Sequence, residues 1–278
     1  MLRCFKDTSF FSFILAVASV ADAICYISYH FGRAQYSTTQ DIINFWISND
    51  NETGIAEKMH KDFSYAFAYH FTATVYYLAS MLKATNLEYP RTITFSGNGS
   101  RYIDQYLTSN VQILTEITQL IMSRVFCKDI GDIQLVLPSI RKESTCYGGL
   151  FHKKDSPEPK AIVYYGDGIG QTCKDVKELK AAYDQTIKNN VMSEVKAMNT
   201  IYSDVLAILI RNGAVDSKLR AGDILALVNN GIQDALESKF QTEILDKYSE
   251  LEQYNDTLFF IPVRDALLEL TNYKKVER

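Results

Sequence analysis

The residues best suited to do chemistry lie in one short stretch, Ser96-Gly97-Asn98-Gly99-Ser100-Arg101, inside "ITFSGNGSRYI". A β-rich run enters the two glycines and a helical pattern leaves them. Such a turn gathers unpaired backbone N–H groups and the positive end of a helix dipole at one point, which suits a phosphate. Gly97 and Gly99 let a ligand approach the backbone closely. The spacing is not that of a dinucleotide fingerprint, which needs a third glycine in register, nor of a P-loop, which needs Gly-Lys-Ser/Thr. A second glycine-rich segment, "YYGDGIGQTCK" from Tyr164 to Lys174, reads as a hairpin turn.

Other chemistries find less support. The four histidines, at 30, 60, 70 and 152, are scattered and no H-E-x-x-H spacing accompanies them, so a metallohydrolase is not indicated. His70 falls inside a long helical pattern and reads as a core or boundary residue. Five cysteines, at 4, 25, 127, 146 and 173, form no CxxC pair, which fits a reducing cytoplasm better than a disulfide framework. Ser96 is not set in the Gly-x-Ser-x-Gly elbow of a hydrolase.

The elements that must position the turn are legible from periodicity. Residues 55–87 place Phe63, Phe67, Phe71, Val75, Leu78 and Leu82 at spacings of three and four, the stripe of a helix buried on one side. "LEYP" is expected to end it, because Pro90 holds Tyr89 extended. "RTITFS" then reads as a strand, 102–126 as one or two helices, "IQLVLP" as a second strand, and 141–152 as a further helix. Helix, strand, glycine turn, helix, strand, helix is the order of an α/β domain. "HKKDSPEPK" is the best linker, and from Asp175 the chain is nearly all helical in pattern, with "TLFFIPVRDALLEL" expected to form an apolar strand, a proline turn and a helix.

Two of these segments together resemble the C-terminal half of the actin, heat-shock-chaperone and sugar-kinase ATPase superfamily, whose fold is ribonuclease H-like. In the chaperones the corresponding strand ends in a Gly-Gly-Ser-Thr-Arg turn, the adenosine motif, and the domain closes on a helix of the form Glu-Ala-Val-Ala-Tyr-Gly-Ala-Ala. Here the strand is "ITFSGNGSR" and the closing helix "ESTCYGGL", with Glu143, Tyr147 and Gly148 in matching places. The resemblance covers about Lys61 to His152. It implies an α/β, actin-like half-domain over residues 1–152, with a helical part at 8–50 and a core at 55–152, followed by a mainly helical extension over 160–278.

The resemblance also implies roles. Gly97, Asn98 and Gly99 would lie against the phosphates or ribose of ATP or ADP carrying Mg, Ser100 would help open the helix, and Arg101 would pack on the adenine face. The superfamily's opposing half, with its Asp-x-Gly phosphate turn, has no counterpart in this sequence, so hydrolysis would need a missing N-terminal half or a protein partner. The alternative is a non-catalytic helical scaffold that keeps the fold without nucleotide.

Composition sets the outer limits. At 278 residues and 47% hydrophobic content the chain can bury a substantial core. A net charge of -4, from 29 basic against 33 acidic residues, leaves no basic footprint for nucleic acid. Met1 to Ala23 carries a basic start, the apolar run "FFSFILAVASV" and "ADA", which resembles a secretory signal. The apolar pattern continues past Ala23 to Phe31, however, and favours a buried helix with no membrane span.

Overall fold

The computed structural model describes residues 55–96, 100, 102–139, 166, 185–216, 220–234 and 258–276. The expected helices over 8–50 and 141–152, the signal-like segment and the linker lie outside these residues, as does "YYGDGIGQTCK" apart from Gly166. The described part is mostly helical with a small parallel sheet, α/β at the coarse level. In chain order it comprises α1 (Ile55–Ala84), β1 (Thr92–Thr94), a π-helical turn (Ile103–Leu107), α2 (Val111–Phe126), β2 (Gln134–Val136), α3 (Gln185–Arg211), α4 (Ala221–Asp234) and α5 (Phe260–Val276).

The central element is α1, and it is buried on more than one side. Every residue from Ser64 to Ala73 is buried. The expected phenylalanine stripe faces the sheet and the π turn: Phe67 stacks on Tyr102 at 6.0 Å and Phe71 meets Phe95 at 5.5 Å. A second face, built on Tyr65, Tyr69 and Tyr76, meets α3 and α5. Tyr69 packs edge-on against Tyr202 at 5.0 Å, and Tyr76 stacks on Phe259 at 5.8 Å. The expectation of a one-sided helix therefore fails, because the helices after residue 184 close over the tyrosine face.

Tyrosine suits that face because each hydroxyl finds a partner in the interior. Tyr65 donates to the Leu270 carbonyl at 3.0 Å, and Tyr202 donates to the Tyr65 carbonyl at 2.9 Å. Tyr76 donates to Glu194 Oε2 at 2.7 Å, where Ser80 also donates at 3.3 Å. Thr72 and Thr74 satisfy their hydroxyls within the helix, donating to the carbonyls of Ala68 and His70.

The helix stops by a different device from the one expected. Asn86 adopts a left-handed conformation, with φ of 56°, and Leu87 N–H returns to the Leu82 carbonyl at 2.8 Å. Asparagine tolerates that conformation, so the chain turns four residues before Pro90. Gly213, at φ 71°, ends α3 in the same manner.

β1 and β2 pair in parallel, with Thr92 opposite Gln134, Ile93 opposite Leu135 and Thr94 opposite Val136. A parallel pair needs a crossover, and α2 supplies it. Asn110 caps α2 by accepting from the N–H groups of Gln112 and Ile113. Ile113, Leu114, Ile117, Ile121 and Val125 then bury its inner face.

The expected strand at the start of "TLFFIPVRDALLEL" is a turn at Leu258 and Phe259, and α5 begins at Phe260. Pro262 sits in the first turn of α5, where its missing N–H would have had no intrahelical partner. α5 packs chiefly on α4 and also on α1.

The α4–α5 contact depends on the absence of a side chain at Gly231. A methyl group there would lie 2.7 Å from Ala266 Cα and 2.8 Å from the Asp265 carbonyl oxygen. Both neighbours are backbone, so Gly231→Ala must push the helices apart and should cost about 1–3 kcal/mol in urea unfolding. Gly222→Ala, with nothing within 4 Å of the added carbon, should instead be neutral or stabilising by up to about 1 kcal/mol. Equal effects at the two positions would contradict this packing.

Candidate functional site

The site is built from the β1 end outward. Phe95 extends the sheet through its N–H, which donates to the Val136 carbonyl at 3.0 Å. Of the candidate ligand residues, Ser100 is described; Gly97, Asn98, Gly99 and Arg101 lie outside the described residues. Ser100 is 7% exposed, and its hydroxyl donates to the Phe95 carbonyl at 3.2 Å. That bond ties the far side of the turn back to the strand end. Ser100 thus spends its hydroxyl hydrogen on the strand end.

The helical run after the turn differs from the sequence reading in one important respect. It is a single π turn, closed by Thr108 N–H donating to the Ile103 carbonyl at 2.8 Å. The chain then extends at Thr108 and restarts as α2 at Val111, whose first N–H groups Asn110 already occupies. A five-residue turn sums few peptide dipoles, so it presents only a weak positive end at its start.

Beneath the turn lies a buried polar group. His70 projects from α1 and is 3% exposed, with its ring edge-on to Tyr102 at 5.1 Å between centroids. Its Nδ1 has no hydrogen-bond partner among the described residues. Burial pushes the imidazole pKa from 6.5 down to about 4, which keeps it neutral at physiological pH. Tyr102 shares a hydrogen bond with Thr74, and burial raises its phenol pKa above the ordinary range despite that bond. Tyr69 and Tyr202, on the opposite face, are also raised by burial.

The sequence reading of His70 as a core residue agrees with this geometry. Tyr102 and Thr74 were not recognised as its neighbours, although the His70–Thr74 spacing of four puts both on one helix face. Among the described residues no group of three His, Cys, Asp or Glu side chains could hold a metal ion. Among the same residues no helix is long and apolar enough to cross a membrane.

Comparison of the chain with known protein families, with characterised proteins and with solved structures returned no match. The geometry of the site therefore stands as the basis for a functional reading.

The buried His70 makes folding sensitive to acid in a defined direction. Its folded pKa is depressed, so the unfolded chain binds the proton more readily. The stability held at pH 7 should be present above about pH 6.5 and fall as pH drops toward about 4, by roughly 3 kcal/mol in all. Denaturant unfolding across this range should show the slope, and His70→Phe should flatten it. An unchanged slope in the variant would remove His70 as its source.

Proposed function

We propose that this chain is the nucleotide-binding half of an actin- or chaperone-like ATPase, taking ATP or ADP with Mg at residues 97–101. The observation that carries the reading is the parallel β1–β2 pair with α2 as its crossover. In open parallel α/β units, ligands bind beyond the carboxyl ends of the strands, and residues 97–101 follow directly on the carboxyl end of β1. The long helix α1 before the strand and the helix α2 after the turn keep the element order on which the resemblance rests, and the two-stranded sheet supports α/β at the coarse level.

In this reading the backbone of Gly97, Asn98 and Gly99 meets the phosphates, and the Arg101 guanidinium stacks on the base, for which its planar, delocalised charge is suited. Ser100 keeps its bond to the Phe95 carbonyl. Phosphoryl transfer requires positioning and charge stabilisation on both sides of the phosphate. The Asp-x-Gly half that would face this one has no counterpart in the sequence, so the chain binds nucleotide and hydrolysis depends on an opposing half.

Calorimetric titration of the folded chain with ADP and Mg should give saturable binding. Gly99→Val, which fills the turn, should abolish it, and Arg101→Ala should weaken it about tenfold, roughly the worth of one stacked cation. Circular dichroism of each variant checks that the helices remain. A folded chain that binds neither ADP nor ATP would overturn the proposal in favour of a non-catalytic scaffold built on the same helices.

A further inference from the structure

At the opposite end of this α/β unit the last turn of α1 meets the end of α2. Lys83 Nζ donates to the Val125 carbonyl at 2.6 Å, and the Cys127 thiol points at the same carbonyl, 3.8 Å away. The thiol lies closer still to the Arg124 carbonyl, at 3.6 Å, and Nζ and Sγ are 3.9 Å apart. Cys127 is exposed, and its left-handed conformation, φ 54°, is an uncommon one for a side chain to hold at a helix end. Lys128 beside it lies over the Tyr89 ring at 4.8 Å and the Phe126 ring at 5.6 Å, which occupies the second ammonium and leaves Lys83 as the amine at the sulfur.

We propose that Lys83 and Cys127 form an oxidant-driven covalent bridge between α1 and α2. The oxidant is a peroxide. The sulfur attacks the O–O bond, giving the Cys127 sulfenic acid and one water, so sulfur is oxidised by two electrons and the peroxide reduced. The Lys83 amine, in its uncharged form, then attacks sulfur; the S–N bond forms, the S–O bond breaks, and hydroxide leaves with the amine proton as a second water. A dithiol reverses the step: one sulfur attacks the sulfenamide and releases the amine, leaving a mixed disulfide with Cys127, and the second sulfur displaces the Cys127 thiol as the reagent closes to its own disulfide. Nζ has to move about 2 Å to reach bonding distance, a small excursion for a four-carbon side chain with several rotatable bonds. The product staples together the two helices that flank the sheet.

The test is hydrogen peroxide treatment of the full chain at mildly alkaline pH, followed by intact mass and non-reducing peptide mapping. The expected result is a loss of about 2 Da and a crosslinked peptide pair joining residues 83 and 127, reversed by dithiothreitol. Lys83→Arg keeps the positive charge and removes the nucleophilic amine, so it should lose the crosslink and leave Cys127 to gain oxygen. Cys127→Ser should lose both. Oxygen gain at Cys127 in the unaltered chain, with no crosslink, would overturn the proposal. So would the same loss of mass in Lys83→Arg, since that identifies a disulfide to another cysteine. Circular dichroism before oxidation separates either result from misfolding.

Discussion

Enclosure of α1 is the constraint on which the rest of this protein depends. A helix buried on all sides from Ser64 to Ala73 has no solvent face on which to leave polar groups, so each must be satisfied inside. The sequence meets this by dividing the helix. Phe67 and Phe71 face Tyr102 and Phe95, on the side where His70 and Thr74 also meet Tyr102. Tyrosines face α3 and α5, where their hydroxyls reach Leu270, Asn199 and Glu194.

That division also fixes how the helices meet. Tyr69 donates to Asn199 at 3.3 Å, and Asn199 in turn donates to Asn229 of α4. A shift of α3 by one residue along α1 would break the first bond and leave a buried phenol unpaired, at a cost of about 1–3 kcal/mol. Apolar packing alone would tolerate such a slip. The exposed pairs Arg124–Asp204 and Arg211–Glu116 tie α2 to α3 as well, but their solvent exposure makes each worth under about 1 kcal/mol.

The residues on either side of the glycine turn depend on the same helix and on β1. Tyr102 follows the glycine turn directly, and it is held by Phe67, His70 and Thr74 of α1. Ser100 fastens the turn to β1. Ser100 and Tyr102 are thus held from the strand and from α1 respectively. His70 is a costly element here: an imidazole buried with Nδ1 unpartnered among the described residues stays because it is neutral.

Local order was legible in the residues themselves. The period of Phe67, Phe71 and Val75 announces α1, and "TITF" and "QLVL" announce two strands, because side-chain periodicity and β-branching act within a few neighbours. The stop at Asn86 is equally local, and it acts before Pro90 is reached. What the sequence did not reveal is that Tyr65, Tyr69 and Tyr76 are a second buried face, since tyrosine serves a surface or a core equally well. Only helices more than a hundred residues further on decide which. The same holds at the turn: two glycines between a strand and a helical pattern suggest an anion site, but the break into a π turn comes from packing Ile103 and Leu107 against α1. Tertiary structure settled those points because burial and hydrogen-bond satisfaction are properties of contacts between distant segments, which no local pattern contains.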